Sequence, residues 1–168
     1  MACVYTFMDS PVGRLKLVAG DDGLAAILWP DDKPDRVRLG EMAEDAGHPV
    51  LVQTETELSD YFAGRRKVFT VPLAFKGTAF QKSVWQALLA IPFGETRTYG
   101  ELATQLGNSG ASRAVGAANG KNPISIMAPC HRVIGASGQL TGFAGGLETK
   151  AWLLTHEGAD RDPQGRLF

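Results

Sequence analysis

Cys130 lies in Pro129-Cys130-His131-Arg132-Val133, the end of a largely apolar run that begins at Asn119. A cysteine attacks as its thiolate, and a nearby imidazole or guanidinium favours that ionised form. His131 and Arg132 supply both groups, and Pro129 stiffens the backbone that carries the sulfur. Adjacent side chains point to opposite faces of a strand and about 100° apart on a helix, so a Cys130–His131 relay needs a turn or a bridging water. The base of an ordinary cysteine protease comes from a distant part of the chain, which this arrangement does not match. On residue types alone, a nucleophile and an inert packed thiol both stay open. A second chemical oddity is Glu157, at the C-terminal end of the last helical stretch, where the macrodipole disfavours an acid. It is either a tolerated misplacement or a required hydrogen-bond acceptor.

The elements that must hold this cysteine begin near Lys76-Gly77. Thr78-x-x-Gln81 is a capping box, and Phe80, Val84, Leu88 and Ile91 recur at helical spacing with Trp85 beside them, until Pro92 ends the pattern. Thr98-x-x-Glu101 opens a short helix with Leu102, Ala103 and Leu106 inward and Gly107 as its stop. After the turn Asn108-Ser109-Gly110, a second short helix is predicted over 111–119. Helix, tight turn, helix is a DNA-binding plan that many helical domains share. The second helix carries Ala114, Val115, Gly116, Ala117 and Ala118, too slim to read base edges across a wide groove. It suits either close packing on a neighbour or entry into the minor groove. Two glycine clusters, 135–138 and 142–146, suggest a pocket wall of backbone donors or simple surface loops. A final helix is predicted over 147–157, with Leu147, Ala151 and Leu154 on its inner face.

Ahead of residue 76 the pattern changes. Segments 2–8, 14–19 and 24–29 are short and β-compatible, separated by Ser10-Pro11-Val12-Gly13 and Gly20-Asp21-Asp22-Gly23, which predicts a β-meander. A surface helix is predicted over 36–46. Thr54-x-x-Glu57 reads as a capping box opening a helix to Gly64, and a strand over 68–73 follows. No chemistry is visible in this half. The net charge of −1 hides an asymmetry, with −4 over residues 1–75 and +4 over 76–150, so the basic excess accompanies the cysteine. Two widely separated cysteines give neither a disulfide framework nor zinc spacing. With no long apolar span and no signal-peptide layout, a soluble cytoplasmic protein without a membrane partner is expected.

Pro129-Cys130-His131-Arg132-Val133, preceded by Asn122-Pro123-Ile124 and Arg113-Ala114-Val115-Gly116 at matching spacing, resembles the O6-alkylguanine-DNA alkyltransferase family, the methylated-DNA–protein-cysteine methyltransferases. The resemblance runs from about Thr78 to Gly158. The patterning along the chain predicts an α+β fold: a small N-terminal α+β domain over 1–76, with a β-meander plus a helix, as scaffold. A mainly helical C-terminal domain with a winged-helix-like helix-turn-helix follows over 77–158, then a tail over 159–168. The resemblance implies single-turnover DNA repair. An alkyl group, above all methyl, passes irreversibly from O6 of guanine in double-stranded DNA to Cys130, with no metal and no cofactor; O4 of thymine stays open as a second source. His131 would take the thiol proton through a water, Glu157 would orient the imidazole, and Tyr99 would hydrogen-bond the guanine ring. Asn122 would tie the recognition helix to the cysteine segment. Arg113 would fill the gap left by an extruded base, with Ala114, Gly116, Ala117 and Asn119 along the DNA. Val133, Phe143 and Ala144 would line the substrate pocket with Tyr99.

The chain departs from some relatives of that family. Phe143 stands where others have tyrosine, Ser125 where some have proline, and Asn119 where some have methionine. These leave tolerance for bulky alkyl groups undecided. A monomer is expected. Two competing readings are a lesion-recognition module that binds alkylated DNA without repairing it, and a thiol hydrolase using Cys130, His131 and Glu157. Turnover counting separates the three.

Overall fold

A computed structural model describes residues 2–159. The described residues divide into two compact units, one running to Lys76 and also holding Pro123–Ser125, the other holding Gly77–Asn122 and the chain from Ile126 onward. The chain thus leaves the second unit for three residues, immediately before the cysteine segment.

The first unit is built on a four-stranded sheet of order β3-β2-β1-β4. Strands β1 (Cys3–Met8), β2 (Leu15–Gly20) and β3 (Gly23–Leu28) form the expected antiparallel meander. Leu15, Leu17, Val18, Ala19, Leu24, Ala26 and Ile27 are fully buried in it. The surface helix expected over 36–46 is not present. Residues Met42–Glu44 form β4, which lies parallel to β1, because Met42 packs on the cluster of Cys3, Val18 and Ala26. Helix α1 (Pro49–Phe62) starts earlier than the Thr54 capping box implied. Pro49 needs no amide donor in the first turn, and the His48 ring nitrogen Nδ1 caps it by accepting from Val50 N at 3.2 Å. Thr54 is therefore interior, its hydroxyl donating to Val50 O, and Glu57 is free to accept from the Thr70 and Val71 amides. Those bonds anchor Thr70 and Val71, and in place of the strand expected over 68–73 the segment carries a bend at Val71 and a single bridge, from Leu73 to Leu24. The 123–125 segment pairs with β3: Ile27 N donates to Pro123 O and Trp29 Nε1 donates to Ser125 Oγ.

The second unit is mainly helical. Both expected capping boxes are formed, at Thr78/Gln81 for α2 (Ala79–Leu88) and at Thr98/Glu101 for α3 (Tyr99–Gln105). Val84, Trp85, Leu88 and Ile91 are buried, whereas Phe80, expected among them, is 38 % exposed. Gly107, at φ 82°, ends the α3 turn in the left-handed region that an L side chain enters only at a cost. Helix α4 (Ser112–Gly120) follows, tied to α2 by the Trp85 indole N–H donating to Ala118 O at 2.8 Å. Strand β5 (Arg97–Thr98) pairs in parallel with β6 (Val133–Ile134), so the first residue of α3 and the cysteine segment are held in register. Helix α5 (Leu147–His156) closes the unit. Its inner face is Lys150, Leu153 and Leu154; Leu147, expected inside, is exposed. A lysine at an inward position breaks the apolar period, and the sequence pattern shifted to the neighbouring stripe. Ala159, expected to open a loose tail, is buried against Ile134 and Leu154, and the rest of that segment lies outside the described residues.

Candidate active site

Cys130–Arg132 form one 3-10 turn, preceded by Pro129 and followed directly by β6. Arg132 N donates to Pro129 O at 3.0 Å and Cys130 N to Ala128 O at 2.7 Å, so the turn is closed by backbone bonds on either side of the sulfur. Every residue from Asn122 to Gly135 is buried, and Cys130 itself is 3 % exposed. Asn122 donates to Ala128 O at 2.8 Å, tying the end of α4 to the approach to the cysteine. Neither cysteine is in a disulfide. Where the chain enters this stretch, Ile126 adopts φ 74°, the one non-glycine residue of positive φ among those described. A β-branched side chain held there costs roughly 1–3 kcal/mol, and such strain persists only where the surrounding packing enforces it.

His131 and Glu157, 26 residues apart, meet at 2.7 Å between Nε2 and Oε2. Arg132, the residue next to His131, grips the same carboxylate through Nε at 2.7 Å and Nη2 at 3.0 Å, and donates a further bond from Nη1 to Ile91 O. All three side chains are buried. Burial alone would raise the Glu157 pKa, but the His131 and Arg132 hydrogen bonds and charges outweigh it and hold the carboxyl far below its ordinary value. This answers the oddity at the end of α5: two partners from one turn stabilise an acid where the helix dipole does not. The guanidinium of Arg132, read from the sequence as a neighbour of the sulfur, makes its hydrogen bonds to Glu157 and to Ile91 O.

Burial pushes the His131 pKa down, against the opposing pull of Glu157, so the imidazole is neutral at rest. An ionised carboxylate only accepts, so Nε2 carries the proton and Nδ1 presents its lone pair. Nδ1 is buried and has no hydrogen-bond partner among the described residues. A buried acceptor without a donor is costly, and here it sits one residue from the thiol. The arrangement can accept a proton.

Lys150 was absent from the sequence-derived set. It is fully buried on α5, and its ammonium donates to Val133 O at 2.6 Å and to Thr141 O at 3.4 Å. Burial lowers its pKa to about 8, while attraction to the Cys130 sulfur opposes that shift. A single lysine placed in the stripe of Leu147 and Leu154, where an apolar residue is expected, was the available signal. Val133 N–H donates to Cys130 O, so the backbone groups expected to line a pocket are partly engaged within the turn.

Tyr99 is half-buried at the start of α3, its hydroxyl 2.5 Å from Thr141 Oγ1. Gly116 of α4 faces that ring: a Cβ added there would lie 3.8 Å from two ring carbons. Arg113, Ala114 and Ala117 are exposed on α4, and Arg113 makes no hydrogen bond or ion pair among the described residues. Asn119, expected along the DNA, is buried at 6 % exposure and turns inward, its Nδ2 donating to Cys130 O at 3.4 Å. Its position on the helix, one residue beyond Ala118 on the inner face, dictates that. Phe143 and Ala144 are half-buried in a loop closed by Gly146 N donating to Phe143 O. Among the described residues no group of His, Cys, Asp or Glu could hold a metal ion, and no helix is long and apolar enough to cross a membrane.

Two family models match the chain in succession: the ribonuclease-like domain of 6-O-methylguanine DNA methyltransferase over residues 3–75, and its DNA binding domain over 79–159. A methylated-DNA–protein-cysteine methyltransferase of Methanosarcina acetivorans is 48 % identical over 155 residues, covering 92 % of this chain and 98 % of its own length. The chain belongs to the 6-O-methylguanine DNA methyltransferase family. The Mycobacterium leprae protein of the same name is 49 % identical over 150 residues, 89 % of each chain. The crystal structure of Mycobacterium tuberculosis OGT in complex with DNA superposes with a TM-score of 0.84 at 47 % identity, covering 93 % of each chain. The methyltransferase family's DNA binding domain begins at the first residue of α2 and contains Tyr99, Arg113, Cys130, His131, Lys150 and Glu157.

Proposed function

We propose that this chain repairs DNA by taking an alkyl group, above all methyl, from O6 of guanine onto Cys130, once per molecule. The observation that carries the reading is the buried Glu157–His131 pair, with the Nδ1 lone pair of a neutral His131 left open in the same three-residue turn as the thiol. Its relatives bear the name of that activity, and one is described in complex with DNA.

The thiol proton passes to His131 Nδ1, across a bridging water because adjacent side chains diverge. Glu157 stabilises the imidazolium that forms, and the Lys150 ammonium favours the sulfur as thiolate. The thiolate attacks the alkyl carbon: an S–C bond forms, the C–O6 bond breaks, and its electron pair moves to the guanine. One proton leaves the thiol and one returns to the guanine, so the reaction needs no oxidant, metal or cofactor. Tyr99 donates a hydrogen bond to the guanine ring as charge develops there. A stacked base is out of reach, so it must leave the duplex, at a cost of a few kcal/mol. The exposed side chain of Arg113, on a helix face of alanines slim enough for a minor groove, takes the place the base vacates. Phe143, Ala144 and Val133 wall the pocket. The thioether does not hydrolyse, so the acceptor is consumed. A reduced thiol nucleophile suits the cytoplasm.

Excess duplex carrying labelled O6-methylguanine should load label on the protein to a plateau of about one methyl per chain. Continued turnover would mean a hydrolase, and tight binding with no transfer a recognition module.

A further inference from the structure

Tyr99 has one phenolic proton, and the proposed reaction wants it on the guanine ring. Its oxygen lies 2.5 Å from Thr141 Oγ1, so one of the two hydroxyls donates to the other. Thr141 comes from the loop between β6 and α5, remote in sequence from the α3 residue it meets. Its own backbone is fixed, because the buried Lys150 ammonium donates to its carbonyl at 3.4 Å. Gly116 of α4 faces the Tyr99 ring, where an added Cβ would reach ordinary van der Waals contact at 3.8 Å from two ring carbons. The phenol is therefore held at its tip by Thr141, with its edge turned toward Gly116.

Resting on the alkyl-transfer reading above, we infer that Thr141 is a positioning residue of the site: its hydroxyl donates to the Tyr99 oxygen and leaves the phenolic proton for the guanine ring. A threonine hydroxyl both donates and accepts, so this direction is open to it once the phenol has a better acceptor. A donor on the phenolic oxygen also polarises its O–H, since hydrogen bonds in a chain strengthen one another. Thr141 does not touch the substrate in this scheme; it sets the aim and strength of the residue that does. The same contact links the guanine-facing tyrosine to the lysine beside the sulfur through one residue.

The test is a double-mutant cycle on the full chain with methylated duplex, reading the maximal rate of transfer to Cys130 separately from the DNA concentration for half-maximal rate. Thr141→Val, equal in shape but lacking the hydroxyl, should lower the maximal rate about 5- to 10-fold, the value of one hydrogen bond. Half-saturation should stay at the wild-type value. Thr141→Ser, which keeps the hydroxyl, should restore most of the rate. In a Tyr99→Phe background, Thr141→Val should cost nothing further. The same loss in that background, a Thr141→Ser as slow as Thr141→Val, or a wild-type rate for Thr141→Val would each overturn the inference. These outcomes are read against a wild-type chain that transfers methyl: they overturn this inference alone, whereas a wild type that transfers none would sink the functional reading and this inference with it.

Discussion

Replacing Glu157 with glutamine removes a charge and puts an amide where three donors converge, from His131 Nε2 at 2.7 Å, Arg132 Nε at 2.7 Å and Arg132 Nη2 at 3.0 Å. Two consequences are separable. For stability, one member of a buried ion pair is lost while its partner stays buried, which costs about 3–5 kcal/mol. For a chain of this size each kcal/mol moves Tm by about 2–4 °C, so a fall of roughly 6–20 °C is expected in calorimetry. For activity, Glu157 is what raises the basicity of an imidazole that burial has lowered. Losing one charged hydrogen bond, about 1.5–3 kcal/mol, corresponds to roughly 1–2 pH units of basicity. A weaker base makes the ion pair with the thiolate harder to form. The pH profile of the methyl-transfer rate, followed from about pH 6 to about pH 10, should shift upward by that amount. Recovery of the rate at high pH would show that the variant is folded and short only of a base. A folded Glu157→Gln variant with an unshifted profile would refute the proton-relay role and leave Glu157 as a purely structural acceptor.

Lys150→Met should separate chemistry from stability in the opposite sense: transfer at neutral pH falls about 10-fold for want of the ammonium near the sulfur, while Tm holds or rises because a costly buried charge is gone. Arg113→Ala should slow repair of duplex DNA at least about 10-fold and affect transfer from free alkylguanine far less, since only the duplex requires extrusion; equal losses would dismiss that role. Stability should fall on acidification in two stages. His131, with its pKa depressed by burial, contributes stability that is complete above its ordinary 6.5 and is lost as pH drops below it. Glu157 and Glu57, both depressed, contribute stability that is complete above 4.5 and is lost as pH falls through their lower folded values. Thermal melts across that range, with Glu57→Gln flattening only the lower stage, check both.

The features legible in the sequence were those written in a few consecutive residues. The capping boxes at Thr78 and Thr98 and the meander over the first 28 residues depend on local hydrogen bonds and period-2 burial, and they are present as read. Thr54-x-x-Glu57 has the same signature, but Pro49 starts the helix a turn earlier and Glu57 is drawn to amides 13 and 14 residues away. At the site, the oddness of Glu157 was visible, and its partner Arg132 was not, because only the fold brings residues 25 apart into contact. The inward contacts of Lys150 and Asn119 were not legible, for one reason. A polar residue on a helix reads as solvent-facing until backbone carbonyls, here of Val133, Thr141 and Cys130, are known to wait inside for its donors.

The most direct measurement is peptide mass spectrometry of freshly reduced protein after exposure to duplex DNA carrying O6-methylguanine. A single added methyl on the peptide containing Cys130, none on the peptide containing Cys3, and none anywhere in a Cys130→Ala variant is the expected result. An unmodified Cys130 in folded protein, or a methyl carried on Cys3, would contradict the account at its centre.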